Sequence, residues 1–314
     1  MSKPIETDVI MIGAGPSALA AAVYTTREDI KTTLLEKGVV GGLAAITDQV
    51  DNYPGFPEGI TGLDLADKLE KQAERFGADI QYGEVATITT NDNTVVVKTI
   101  DDTEYHAKAV LIATGSDYKK IGVPGEEEFY GRGVHYCATC DGAFYRDKEL
   151  VVVGGGNSAV QEALFLTRFT KHINLLVRSE IRASEVLQHE LDKAVKEKKI
   201  TVHLNTSTDE IVGENNKVVK VIGTKDGKKT EFTTDGVFVF VGLLPNTQFL
   251  KDSRIELDQT GFIKTDQNLQ TTLKGVFASG DVRSGATMQI ASAVGEGATA
   301  ALKIREYLED PKNK

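Results

Sequence analysis

Both cysteines of the chain lie in one short stretch, HYCATCDG from His135 to Gly142, spaced C-x-x-C and followed directly by Asp141. That spacing brings two sulfurs within bonding reach, and such a pair either ligates a metal or exchanges with other disulfides. A structural zinc site needs four ligands. Beyond His135, Cys137 and Cys140 the sequence offers no second knuckle, so the pair is read as redox-active and no metal is expected. Two cysteines in 314 residues cannot form a disulfide framework either. His135 has two readings, a group that tunes the thiols or a solvated loop histidine.

The elements that must position this pair come from one pattern that occurs twice. DVIMI (Asp8 to Ile12) reads as a buried parallel strand, followed by GAGPSA (Gly13 to Ala18), a helical stretch through Arg27 and a second strand, KTTLLE, ending at Glu36. ELVVV (Glu149 to Val153) is followed by GGGNSA (Gly154 to Ala159), a helical stretch through about Phe169 and the strand INLLVR, ending at Arg178. Strand, G-x-G-x-x-A, helix, strand is the dinucleotide-binding fingerprint in its required context. Gly13 and Gly154 permit the tight turn, Gly15 and Gly156 let backbone approach a pyrophosphate, and Ala18 and Ala159 allow close helix packing. The pyrophosphate then rests on helix N-terminal amides.

The two copies differ where the ligand is chosen. Glu36 can accept the two hydroxyls of an adenosine ribose and repels a 2′-phosphate, so the first site suits FAD or NAD. Arg178 holds the matching place in the second copy, with Arg182 four residues on, and guanidinium groups suit the phosphate of NADP. Two further stretches point to a flavin in the first site. AVLIATGS (Ala109 to Ser116) reads as a strand running into a turn, and GVFASGDV (Gly275 to Val282) as a strand ending in Gly280-Asp281, where a carboxylate can reach a ribityl chain. The segment after it, ATMQIASAVGEGATAALKIREYL, reads as a small-residue helix whose N-terminal amides favour negative charge on a reduced flavin.

The expected fold is therefore α/β, with two Rossmann-like dinucleotide-binding domains. The nicotinamide domain is inserted into a discontinuous FAD domain: 1–117 and 246–314 form the FAD domain, and 118–245 the domain that carries C-x-x-C. TGSDYKKIGVPG and VGLLPNTQ are the two crossings. A length of 314 residues fits two such domains, and a net charge of −10 argues against a nucleic-acid partner. No apolar run approaches the roughly 20 residues of a membrane span, and the N-terminus has no signal core, so the expected setting is cytoplasmic.

With these features in place, the chain resembles the low-molecular-weight thioredoxin reductases of bacteria and archaea along nearly its whole length. CATCDG, followed by AFYRDKELVVVGGGNSA, carries the resemblance most specifically, and DNYPGF, ATG, FVGLLPNT and ASGD follow in the family's order. The resemblance implies a homodimer that passes electrons from NADPH through FAD to the Cys137–Cys140 disulfide and then to thioredoxin. It implies that Cys140 faces the flavin, that Cys137 attacks the thioredoxin disulfide, and that Asp141 protonates the leaving thiolate. It implies FAD contacts at Gly13, Gly15, Pro16, Ser17, Ala18, Glu36, Asn52, Ala113, Gly115, Asp281, Gln289 and Ile290. NADPH contacts are implied at Gly154, Gly156, Asn157, Ser158, Arg178 and Arg182. Because the dithiol and the nicotinamide site share one domain, it also implies a swing of that domain about the crossings.

The chain departs from the family pattern in several places. Where the family has an HRR-x-x-x-R cluster this chain has VRSEIRA, with Val177, Ser179 and Glu180 supplying no cation, so NADH stands beside NADPH as donor. Leu43 replaces a glutamine in GGLAA, Met288 precedes Gln289 where arginine is common, and His135 stands where serine is common. Reduced ferredoxin as donor, a peroxiredoxin-type partner, and a flavin redox sensor without turnover are the alternative functions.

Overall fold

The computed structural model describes residues 3–47, 49–91 and 94–313. Its contacts divide the chain into two units, Met1–Asp117 with Leu244–Lys314, and Tyr118–Leu243. The second crossing thus falls after Leu243, against 245 in the sequence reading.

In the first unit a parallel sheet has the order Val276–Ala278, Ala109–Ile112, Val9–Ile12, Thr32–Glu36, Asp79–Tyr82. The strand VIMI is buried along its whole length, as an apolar run covered on both faces must be. Alternate residues point to opposite faces, and each face has its own core. Val9, Met11, Leu34 and Leu111 pack against Leu19 and Ala22 of helix Pro16–Thr26 and Ala300 and Ile304 of helix Ile290–Glu309. Ile10, Ile12, Leu35 and Val110 pack on the other side against Ile88, Val95, Val97 and Tyr105. Those four belong to an antiparallel meander, Val85–Asn91, Thr94–Thr99 and Glu104–Ala107.

The second unit repeats this plan. Its parallel sheet runs Val134–His135, Gly236–Val239, Glu149–Val153, His172–Leu176, Ile200–His203. Leu150, Val152 and Leu175 face Val160, Ala163 and Leu166 of helix Asn157–Leu166. Val151, Val153 and Leu176 face Val221 and Phe232 of a second meander, Thr206–Glu214, Lys217–Lys225 and Lys228–Thr233. Corresponding strands hold corresponding places, so each glycine turn sits at the carboxyl end of the central strand of its sheet, where open α/β sheets bind ligands. No helix among the described residues is long and apolar enough to cross a membrane.

Candidate active site

The cysteines are joined, with an S–S distance of 2.03 Å and Cα atoms 5.3 Å apart. They bracket one helical turn, Ala138–Asp141, which starts at Cys137 because that residue is extended and its sulfur accepts the Cys140 N–H at 3.2 Å. Cys140 is exposed and Cys137 partly so, which leaves the bond open to attack. The Asp141 N–H donates to the Cys137 carbonyl at 3.1 Å, fixing the acid to the same turn. Asp141 Oδ2 lies 3.1 Å from His135 Nδ1. His135 is not a solvated loop residue: it closes the edge strand Val134–His135 and is buried.

In the second unit the glycine turn has the geometry its sequence requires. Gly154 has φ +141°, and a Cβ there would collide with the Phe240 carbonyl and come within 2.7 Å of the Ala159 Cβ. Gly156, Asn157 and Ser158 are exposed, and a Cβ added to Gly156 would meet nothing within 4 Å. The strand ahead of the arginines ends at Leu176, two residues earlier than the sequence reading, so Arg178 stands beyond it in an exposed loop. That loop is tied back onto the turn. The Arg182 N–H donates to the Gly155 carbonyl at 2.7 Å and the Ser184 N–H to Asn157 Oδ1 at 2.8 Å. Val177 is buried, close over Gly155, which gives a packing reason for an apolar residue where the family has a polar one.

The first unit repeats this with a different charge. Gly13 has φ +95°, and a Cβ there would lie 2.6 Å from the Ala113 carbonyl. Gly15 caps the helix with Pro16 in its first turn, faces open space, and offers no side-chain cap to the helix amides. Ala18 is fully buried. The buried Ser17 hydroxyl is hydrogen-bonded to Ser279 at 2.7 Å, which ties the first helical turn to the segment ahead of Gly280-Asp281. Glu36 reaches the turn from the end of its strand, its Oε2 accepting the Ala14 N–H and its Oε1 the Gly38 N–H, each at 2.7 Å. It shares a cleft with Gly13, Lys37, Glu84 and Thr114.

Near the same sheet end, Gly115 has φ +66° and its carbonyl accepts the Asn246 N–H at 3.0 Å. Asp281 is half-buried, and burial followed by the Glu296 charge raises its carboxyl to about 6. It accepts no hydrogen bond among the described residues, whereas Glu296 is held by Arg283 and by the Gly280 N–H at 2.9 Å. Gln289 caps helix Ile290–Glu309, Ile290 is its first residue, and Asn52 Nδ2 donates to Gln289 Oε1 at 3.1 Å. Uncapped helix starts behind two open glycine turns, and a half-buried carboxyl with no hydrogen bond among the described residues, are what dinucleotides would fill. The residues fit FAD in the first unit and a nicotinamide dinucleotide in the second.

Two further polar groups near the dithiol segment have no signal in the sequence. Tyr145 OH lies 2.7 Å from His135 Nε2. Glu126, only 2 % exposed, accepts the Tyr136 hydroxyl at 2.8 Å and the Ile121 and Gly122 N–H groups at 2.9 and 2.7 Å. Neither has a periodic or motif signal, although a carboxylate directly after the turn dipeptide Pro124-Gly125 invites the question of what it caps.

Comparisons with known proteins identify the family. The family model for pyridine nucleotide-disulphide oxidoreductases matches residues 7–297. A thioredoxin reductase of Bacillus subtilis is 44 % identical over 99 % of this chain and 97 % of its own, and one of Listeria innocua is 44 % identical over 97 % and 95 %. The crystal structure of thioredoxin reductase from Streptococcus pyogenes superposes with a TM-score of 0.91, at 40 % identity, covering 98 % of this chain and 99 % of that one.

Proposed function

The chain belongs to the pyridine nucleotide-disulphide oxidoreductase family, among its low-molecular-weight thioredoxin reductases, and from that premise we propose that it reduces thioredoxin with electrons drawn from NADPH. One observation carries the site assignment: the Cys137–Cys140 disulfide lies in the same unit as a second dinucleotide turn, immediately ahead of its first strand. Bound FAD would supply the step between a two-electron hydride donor and a disulfide.

Gly13, Gly15 and the backbone N–H groups of Ser17 and Ala18, with Pro16 shaping the first turn, would hold the FAD pyrophosphate, Glu36 would hold its ribose, and Asp281 would meet its ribityl chain. Asn52, Ala113, Gly115, Gln289 and Ile290 line the remainder. Gly154, Gly156, Asn157 and Ser158 take the nicotinamide dinucleotide, and Arg178 and Arg182 its 2′-phosphate. Cys137 attacks the partner disulfide, Cys140 resolves the mixed disulfide, and Asp141 gives the proton that the leaving thiolate needs. The unit Tyr118–Leu243 carries both dithiol and nicotinamide turn, so motion about its crossings presents them to the flavin in alternation. The enzyme works as a cytoplasmic homodimer. NADH is the second donor to weigh, because Glu180 stands between the two arginines and Val177 is buried.

The test is an anaerobic titration of the FAD-loaded protein with NADPH and NADH separately, followed by oxidised thioredoxin and a count of released thiols. NADPH should bleach the flavin and thiols should follow. Cys137→Ser and Cys140→Ser should each keep flavin and its reduction while losing thioredoxin turnover. Turnover retained in both variants would falsify the dithiol mechanism.

A further inference from the structure

Asp141 does not stand alone beside the disulfide. His135 Nδ1 is 3.1 Å from its Oδ2, and the side chains are 9 % and 22 % exposed. On the other side of the ring, His135 Nε2 is 2.7 Å from Tyr145 OH. The imidazole stacks on Phe238 with centroids 5.1 Å apart, and Tyr145 sets its edge against both rings. Burial first, then the charges of Asp141 and Asp235, push the Tyr145 hydroxyl above its ordinary range, so it keeps its proton and can donate to Nε2 of a neutral ring or accept from that of a charged one. Because the hydroxyl serves either form of the ring at Nε2, Nδ1 can carry a proton toward Asp141 in the imidazole and in the imidazolium alike. The charged groups around the imidazole are therefore Asp141 directly and, beyond Tyr145, Asp235, which is paired with Lys148 at 3.6 Å.

We propose that His135 is a positioning residue for disulfide exchange: held by Tyr145, it fixes Asp141 beside the dithiol, and the imidazolium–carboxylate pair they form holds the proton that exchange consumes, returning to imidazole and carboxylate when that proton leaves. This rests on the dithiol function proposed above. The Cys137 thiolate bonds to one sulfur of the partner disulfide as that S–S bond breaks, and the bonding pair leaves on the second sulfur, which takes the proton of the His135–Asp141 pair. Cys140 then gives its thiol proton to the emptied pair and, as thiolate, attacks Cys137 of the mixed disulfide. The Cys137-to-partner bond breaks, the partner's first sulfur leaves with the electron pair and takes that proton, and Cys137–Cys140 is oxidised. An imidazole takes up and gives back the imidazolium proton near neutrality, whereas an isolated carboxylate does not.

The experiment uses FAD-loaded protein pre-reduced with dithionite, mixed in a single turnover with a bacterial thioredoxin or with dithiobis(nitrobenzoate), whose thiolate leaves without a proton. His135→Asn keeps a donor toward Asp141 but does not titrate, and His135→Phe keeps the stack on Phe238. With thioredoxin both variants should be slowed about tenfold at about pH 8 and less than threefold at about pH 6, their rates falling at least one pH unit earlier than wild type. With dithiobis(nitrobenzoate) the slowing should stay below twofold. Equal slowing on both substrates, or a pH profile restored by His135→Asn, overturns the proton-holding role. Wild-type protein inert toward thioredoxin overturns the preceding function instead. The same comparison with cystine, another disulfide with a poor leaving thiolate, then decides on His135.

Discussion

Burial and the Glu296 charge raise Asp281 to about 6 from its ordinary 3.8. A raised carboxyl pKa means that the folded protein keeps a proton which the unfolded chain has already released. Stability therefore falls as pH rises between about 4 and 6, and the deficit is complete above that window. A rise of this size costs the ionised form on the order of 2–3 kcal/mol. In FAD-free protein at about pH 7.5, Asp281→Asn should thus be the more stable form by up to about 2 kcal/mol, the gain vanishing near pH 4. Urea denaturation across that range measures it. The same substitution should weaken FAD binding at least tenfold, read by flavin fluorescence, because the Asp281 carboxyl accepts no hydrogen bond among the described residues and is left for the ligand. A variant no more stable than wild type at neutral pH would show that ionised Asp281 is not costing stability.

Helix Ile290–Glu309 approaches helix Pro16–Thr26 closely enough that a Cβ on Gly297 would overlap the Ser17 carbonyl and sit 3.1 Å from its Cα. Two effects compete at Gly297→Ala. Helix propensity favours alanine by about 1 kcal/mol, whereas overpacking against backbone costs about 1–3 kcal/mol and has nowhere flexible to go. Overpacking should win. Gly297→Ala is expected to lose about 1–2 kcal/mol of stability and, by moving Ser17, to release FAD more readily. Gly295 is the control within the same helix: nothing lies within 4 Å of its added Cβ, so Gly295→Ala should be neutral or gain up to about 1 kcal/mol. Thermal denaturation with and without FAD separates the two. Small residues in this segment could be read as a packing helix from the sequence alone. Which glycine is indispensable could not, because that depends on a helix almost three hundred positions away.

At the scale of the whole chain, duplication was the most legible feature. Each copy is local, an apolar run, a glycine turn and a helix within about thirty residues, and Gly13, Gly154, Glu36 and the strand Glu149–Val153 stand where that pattern requires. The meanders that cover the second face of each sheet have no comparable signal, since Lys217–Lys225 does not alternate in burial as Thr94–Thr99 does, and strand pairing depends on neighbours as well as on the strand itself. For the same reason Tyr145 went unseen beside His135, although both lie within a dozen residues of the dithiol. What distinguishes the copies is charge at matched places: Glu36 bound to the turn amides in one, exposed Arg178 and Arg182 in the other. A charge-assisted contact to phosphate contributes about 1.5–3 kcal/mol, or roughly 10- to 150-fold in affinity. If Arg178 meets the 2′-phosphate, Arg178→Gln should lower kcat/KM for NADPH by at least tenfold and for NADH by less than threefold. Glu180→Gln should move the ratio the other way, by relieving repulsion of the same phosphate. Steady-state kinetics with both nucleotides at fixed thioredoxin decides the matter, and equal losses on both would remove Arg178 from the phosphate site.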